Sequence, residues 1–246
     1  MRRTYRKPPI QEVVCEFRFV AGEPWDLTVP GLVYERLRAT FPKRQVVRGI
    51  ETELGADEGG VKQQIRLQER AKFLREDDKA FVQVGPNLLA VNHLAPYPTW
   101  EQYLPLVRTG FDGYVQVAKP KGLSRLGLRY INRIEPGGER VALEEYFAFR
   151  PFVGESLRQD FGNFLVVVES AHENGRDRLR LQLGTTAAQG GRLAFILDLD
   201  YFTGKPESVA IDGCFAWLDN AHGHIGEAFE GCLTDRTRSL FEPAEG

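Results

Sequence analysis

Alternation of apolar and polar residues with a period of two recurs along this chain and restricts its fold more than any other feature. In 11–19 every second residue from Val13 onward is apolar, and these residues are Val13, Cys15, Phe17 and Phe19. A comparable alternation runs through 121–135. This period is typical of a strand with one buried face. Short turn sequences such as GPN at 85–87 and ENG at 173–175 separate the segments, so the sequence predicts antiparallel pairing.

The remaining elements follow from the same two periods. Strands are predicted at 11–19, 46–54, 61–74, 81–85, 88–93, 121–135, 163–172, 176–186 and 192–202, and QGG at 189–191 is a second predicted hairpin turn. Apolar residues at spacings of three and four predict helices over 27–41, 100–118 and 212–241, with a short helix at 143–147. Thr99 and Asp212 are the expected caps of the second and last long helices.

These elements predict a single α+β domain spanning residues 1–246. In this domain, one or more large curved antiparallel sheets are covered by helices, including a long C-terminal helix. The order of elements also allows two halves, 1–120 and 121–246, each with a sheet and a flanking helix. No residue-level repeat accompanies that pattern.

Composition narrows the function classes. The 246 residues include 32 Lys and Arg against 34 Asp and Glu, so no global basic field argues for nucleic acid. No apolar run approaches the roughly 20 residues that cross a bilayer, and the first residues lack the apolar core of a signal peptide. We therefore expect a cytoplasmic protein that does not bind membranes. Its three cysteines form no CxxC pair, which favours reduced, buried thiols.

Catalytic signatures are absent from the sequence. It contains no GxSxG, P-loop, GxGxxG or HExxH motif. His222 and His224 are two positions apart on a predicted helix and therefore point in different directions, while His93 and His172 lie at strand ends. We predict no metal site, no cofactor and no catalytic residues. The sequence favours a non-enzymatic protein and leaves the question of activity open.

Asp198 and Asp200 form one candidate site. They are two apart on a predicted strand, so both carboxylates project from the same face. Such a pair can hold a divalent cation or polarise a substrate. The alternative, which we favour, is cross-strand pairing with Arg178 and Arg180 on the preceding strand.

Basic residues alternate along three predicted strands and form a second candidate. If these strand faces converge, they create an anion-binding groove for phosphate or RNA. If they face solvent, they form an ordinary wet sheet face, and the near-neutral overall charge favours this second interpretation. The residues concerned are Arg66, Arg70, Arg125, Arg129, Arg178 and Arg180.

The connection 136–162 is the third candidate. It carries aromatic residues where a loop is normally polar, among them Tyr146, Phe149 and Phe152. These three residues are a candidate surface for a protein partner. The equally weighted alternative is that they pack the connection onto the core.

Four ordered motifs resemble a family of uncharacterised bacterial and archaeal proteins with a sporadic distribution. They are YRKPPIQEVVCEFRF, FVQVGPNLLAVNHLAPYPTWEQYLP, LGLRYINRIE and LDNAHGHIGEAFEGCLTD, and the resemblance spans nearly the whole chain. The resemblance implies an α+β domain of about this length. Its patchy occurrence implies accessory genes, including mobile or antiviral defence loci.

A weaker similarity is to the triphosphate tunnel enzymes, which begin with an ExExK strand and line a barrel with alternating charges. Here Glu16 follows Val14, so the first carboxylate of that motif is missing. This departure counts against metal-dependent phosphohydrolysis.

From these observations we expect a non-enzymatic binding or adaptor protein that acts through protein partners. An accessory role in a prokaryotic defence or mobile locus is the expected context. The alternative is a protein that binds a phosphate ligand or RNA, or hydrolyses phosphates, with a basic concave sheet face.

Overall fold

The computed structural model describes residues 3–57, 60–138, 140–187 and 192–244, and within 48–57 and 60–68 it describes the backbone. The strands are β1 (Ile10–Val20), β2 (Lys43–Asp57), β3 (Gly60–Leu74), β4 (Ala80–Gly85), β5 (Leu88–Leu94), β6 (Gly122–Ile134), β7 (Leu165–His172), β8 (Asp177–Thr186) and β9 (Ala194–Thr203). The helices are α1 (Val29–Leu37), α2 (Trp100–Ala118), α3 (Leu143–Tyr146), α4 (Cys214–Cys232) and α5 (Asp235–Leu240).

The nine strands pair in the order β2-β3-β4-β5-β1-β6-β9-β8-β7, with antiparallel neighbours. The predicted α+β class with an antiparallel sheet and helices is therefore confirmed. By their internal contacts, residues group into two compact units. Unit 1 comprises Met1–Cys15, Leu94–Tyr97 and Ser124–Gly246, and unit 2 comprises Glu16–His93 and Pro98–Leu123. No helix in the described part of the chain is long and apolar enough to cross a membrane.

In unit 2, helix α2 matches its predicted bounds. Thr99 caps it by accepting a hydrogen bond from the Gln102 amide. The apolar stripe of α2 packs against aromatic side chains of β1, with ring centroids 4.9 Å apart for Phe111 and Phe17 and 4.7 Å apart for Tyr114 and Phe19. The alternating residues of β1 are thus buried as their period predicts.

Helix α1 is shorter than predicted. It begins at Val29 rather than at 27, and Leu27, which was predicted to belong to the apolar stripe, is 97% exposed. The chain reverses instead through an Asp26 turn, in which the carboxylate accepts hydrogen bonds from the Thr28 amide and hydroxyl. These local hydrogen bonds hold residues 26–28 in a turn. The helix therefore begins later than its apolar spacing predicts.

In unit 1, the predicted helix 212–241 is two helices. Leu233 has an extended backbone and forms an isolated bridge with Phe147, which ends α4. Thr234 then starts α5 by accepting a hydrogen bond from the Thr237 amide. The prediction of Asp212 as the cap is also wrong, because Gly213 occupies the cap position without a side-chain hydrogen bond. An apolar stripe continues through the break, so spacing did not reveal it.

The two ends of the described chain pair with each other in unit 1. The Arg6 amide donates to the Glu242 carbonyl at 2.9 Å, and the Ala244 amide donates to the Thr4 carbonyl at 2.9 Å. Tyr5 lies beside Phe229 and Phe241 and donates its hydroxyl proton to Glu230 at 2.7 Å. Burial and the Glu230 carboxylate raise the pKa of Tyr5 to about 12.

The ENG turn is confirmed as a tight connection between β7 and β8, with Asn174 in the left-handed region. The short helix predicted at 143–147 is present as α3. The predicted QGG turn at 189–191 lies outside the described residues.

Candidate functional site

Three neighbouring strands of unit 1 place arginines and carboxylates on one face, which we call the arginine face. Antiparallel register puts Asp200 of β9 directly opposite Arg129 of β6 and Arg180 of β8. Period-two geometry adds Arg125, Arg178 and Asp198 to the same face. The structure therefore brings together six of the eight residues predicted as a ligand site.

The partners of the two aspartates differ from those predicted. Arg129 forms a two-point contact with Asp198, with Nε 2.8 Å from Oδ1, and Arg125 bonds Asp200 at 3.2 Å. Arg180 turns to Glu169, directly opposite on β7, at 3.0 Å. The prediction of pairing with Arg178 and Arg180 was wrong. Strand β9 also pairs with β6, and the arginines of β6 form the hydrogen bonds to both carboxylates.

These pairs leave little free positive charge on the arginine face. The hydrogen bonds between Arg129 and Asp198 raise the pKa of Arg129, so its guanidinium stays charged. Among the described arginines of the face, Arg178 alone has no carboxylate partner. The cavity beside Asp198 measures about 60 Å³, well below the roughly 300–1,000 Å³ of typical ligand sites. The geometry is that of a wet sheet face with internal ion pairs.

The other two predicted arginines lie on β3. The side chain of Arg66 lies outside the described part of the structure. Arg70 belongs to unit 2, where its Nε is buried without a hydrogen-bond partner in the described residues.

The three predicted partner-binding aromatics of the connection have different environments. Tyr146 is buried, with the Arg236 guanidinium over its ring, and so is not accessible to a partner. Phe149 is half-buried, whereas Phe152 is 69% exposed. The two predicted roles thus fall to different residues. Tyr146 packs the connection onto the core, whereas Phe152 is exposed and accessible to a partner.

A larger cavity, absent from the sequence-based predictions, runs beside α4. This groove, which we call the α4 groove, measures about 490 Å³ and lies within unit 1. It is lined by Ala148, Phe149, His172, Leu179, Leu181, His224, Glu227, Ala228, Gly231 and Cys232. Most of these residues are apolar, and the volume falls in the range of sites that hold a small molecule or a short peptide segment.

Small residues on α4 keep the groove open. His224, Ala228 and Gly231 follow each other at spacings of four and three, so they share one helical face. The main apolar stripe of α4, which includes Leu218 and Ile225, is buried beside them. Two small residues beside the apolar stripe, Ala228 and Gly231, are the sequence signal for the groove, and apolar spacing alone does not reveal it.

One end of the α4 groove is polar. His224 stacks on Tyr201 with centroids 5.0 Å apart, and the ring of His172 lies 5.4 Å from that of His224. His222 contacts a different neighbour, with Nδ1 3.0 Å from the Tyr130 hydroxyl oxygen. No group of three metal-ligating side chains occurs among the residues that the structure describes.

A buried carboxylate holds this polar end in place. Asp177 is completely buried and accepts hydrogen bonds from Trp217 Nε1 at 3.1 Å and from the Tyr201 hydroxyl at 3.3 Å. The Arg176 guanidinium contributes two further bonds, the shorter at 2.6 Å. Burial and the neighbouring Asp177 raise the pKa of Tyr201, so its phenol stays neutral. The network joins the start of β8 to β9 and α4.

Glu227 is the acidic group of the α4 groove. Within the described part of the chain, it has no hydrogen-bond or ion-pair partner. The groove therefore combines an apolar lining with one unpaired negative charge, which suits an apolar segment with a nearby cationic group.

Cys232 lines the groove but is not an activated nucleophile. Burial raises the pKa of its thiol to about 12, so the thiolate is scarce at neutral pH. We expect native protein to resist iodoacetamide at about pH 8.5, the ordinary pKa of a thiol. All three cysteines should react after denaturation in urea, because each is buried in the fold. Peptide mass spectrometry measures this, and rapid native labelling at Cys232 would contradict it.

No family model matches the sequence, and no curated protein matches it.

Proposed function

We propose that this protein is a non-catalytic binding protein, an adaptor whose α4 groove receives an apolar segment of a protein partner. The observation that carries the proposal is the groove itself, with about 490 Å³ of apolar-lined space beside Glu227, which has no partner among the described residues. The resemblance to a family with sporadic occurrence supports an accessory role in a prokaryotic defence or mobile locus. A cytoplasmic location is part of the same proposal.

The thiol in the wall of the groove is not an activated nucleophile. The two histidines at the polar end of the groove contact aromatic rings, and the thiol is protonated at neutral pH. Phe149 belongs to the groove wall, while the exposed Phe152 follows shortly along the chain. A partner seated in the groove therefore has an adjacent aromatic side chain to cover.

The test compares the same substitution on two sides of one helix. Ala228→Glu places a charged side chain in the α4 groove, and Ala216→Glu places it on the exposed side of α4. We expect a partner captured from the native host by the wild type and by Ala216→Glu to bind Ala228→Glu at least about tenfold more weakly, the loss typical of one interface residue worth 1.4 kcal/mol. Calorimetry with the purified partner measures it.

Two outcomes would reject the groove as the binding site. The first is equal capture by Ala228→Glu and Ala216→Glu when both variants melt like the wild type. The second is binding of RNA or nucleotide that weakens steeply with salt and is lost in Arg129→Ala, which would favour the alternative phosphate-binding function at the arginine face.

A further inference from the structure

Strand β7 has an outer edge that no described strand covers. Within unit 1 the strands β6, β9, β8 and β7 are adjacent in that order, so β7 is terminal. Its outward backbone N–H and C=O groups are free to pair with another strand. Proteins usually protect such an edge with lysine, proline or a bulge. Residues 164–168, FLVVV, contain neither a charge nor a proline.

Exposed apolar side chains concentrate at this edge and in the segment before it. Leu165 is 64% exposed, and Val167 and Val168 are each 47% exposed. Six of the ten large apolar residues that are exposed in the described chain fall in 152–168. Isolated exposed apolar residues are ordinary, whereas a cluster of this kind marks an interaction surface.

Pairing with β8 shows which backbone groups point outward. The Thr185 amide donates to the Phe164 carbonyl at 3.1 Å, so even-numbered residues of this segment bond to β8. In an antiparallel ladder the alternate residues face the other way. The amides and carbonyls of Leu165 and Val167 are therefore directed towards the free side.

We propose that β7 pairs antiparallel with β7 of a second copy of this chain, with the two-fold axis at Val166. Leu165 of each copy then forms a hydrogen-bonded pair with Val167 of the other, because both residues present outward groups. Val166 lies opposite its own counterpart, and Phe164 lies opposite Val168. Every cross-strand pair in this five-residue overlap is apolar on both sides.

The sequence of the edge favours a second copy over an unrelated strand. Because FLVVV is apolar throughout, it matches itself when read in the opposite direction. The first charged residue beyond it, Glu169, meets Asn163, so no like charges lie opposite each other. Moving the axis to Val167 would place Glu169 against Leu165 and reduce the apolar pairs. The self-pair also closes a two-fold dimer, the commonest oligomer.

Sedimentation velocity of the purified chain at rising concentration tests the dimer. We expect the wild type to approach twice the monomer mass. Val167→Lys should remain monomeric and should melt like dilute, monomeric wild type, because its side chain is exposed and its backbone groups do not bond to β8. Leu27→Lys is the matched control, since Leu27 is 97% exposed in unit 2, and it should dimerise like the wild type. A wild type that stays monomeric, or a Val167→Lys variant that dimerises normally, would overturn the proposal.

A cysteine pair tests the axis independently of mass. In a non-hydrogen-bonded antiparallel pair the Cα atoms are roughly 4.5 Å apart, within disulfide range. We therefore expect Val166→Cys to form an intermolecular disulfide on mild oxidation. Val168→Cys lies four residues from its counterpart, roughly 13 Å away, and should not. Cross-linking of Val168→Cys alone, or of neither variant, would refute this register. Neither result bears on the α4 groove, which the groove variants test separately.

Discussion

Replacing Asp177 with alanine is expected to lower the free energy of unfolding by about 2–6 kcal/mol, because two buried hydrogen-bond donors lose their acceptor at roughly 1–3 kcal/mol each. Asp177 is completely buried and accepts hydrogen bonds from Trp217, Tyr201 and Arg176. Without it, the Trp217 N–H and the Tyr201 hydroxyl stay buried with no acceptor. Because domains are stable by only about 5–15 kcal/mol, the variant should lose much of its stability.

Urea unfolding followed by tryptophan fluorescence measures this effect, and Trp217 reports directly on the network. Asp177→Asn should be nearly as destabilising, because its amide N–H groups face the donors of Trp217 and Arg176. Glu169→Ala is the control. It removes the exposed Arg180 pair and should cost less than about 1 kcal/mol. Equal midpoints for Asp177→Ala and Glu169→Ala would mean that the network contributes no stability.

Gly22→Ala is expected to destabilise the protein by about 3 kcal/mol or more, at the upper end of the range for overpacking. A Cβ atom at this position would lie 1.8 Å from the Lys119 carbonyl oxygen and 2.7 Å from the Lys119 carbonyl carbon. Both are backbone atoms at the end of α2, so no side-chain rotation relieves the clash. The loop after β1 and the end of α2 would have to separate.

Gly31→Ala is the matched control in the same unit. Gly31 lies in α1, and an added Cβ would have no atom within 4 Å. Alanine in a helix is more stable than glycine by roughly 0.5–1 kcal/mol, so this variant should be slightly more stable than the wild type. Thermal melting of the two variants compares the same chemical change with opposite expected signs. A melting temperature for Gly22→Ala at or above that of the wild type would contradict the packing of this loop.

Elements with a strong local signal could be predicted from the sequence. Helix α2 has a cap at Thr99 and a regular apolar stripe, and it occupies its predicted range. Strand β6 follows the predicted period over its second half, where Leu126, Leu128 and Tyr130 are buried. In both cases the local preference and the packed environment agree, which is why a single-sequence pattern was sufficient.

Features that depend on neighbours distant in the chain could not be predicted. The break at Leu233 arises from its bridge to Phe147, a contact separated by most of unit 1. Likewise, Asp198 and Asp200 share a face by period alone, but the register between β6 and β9 decides that Arg129 and Arg125 bond to them. Alternation assigns a residue to a face and carries no information on the adjacent strand.

The α4 groove illustrates the same limit for function. Its lining comes from the connection at Phe149, from β7 and β8 at His172 and Leu179, and from α4. Each segment looks ordinary by itself, and no motif joins them. The concave surface appears only once α4 covers one part of the strands and leaves the next part open.

Pairing between the segments around Tyr5 and Pro243 has a consequence for synthesis on the ribosome. Residues 4–7 are translated before their hydrogen-bond partners at 241–244, more than 230 residues earlier in the chain. All of the long middle stretch, including the whole of unit 2, is made in between. Contacts that distant in sequence close late. The segment 4–7 therefore has no partner at 241–244 until after unit 2 has been synthesised, and unit 1 can be completed only then.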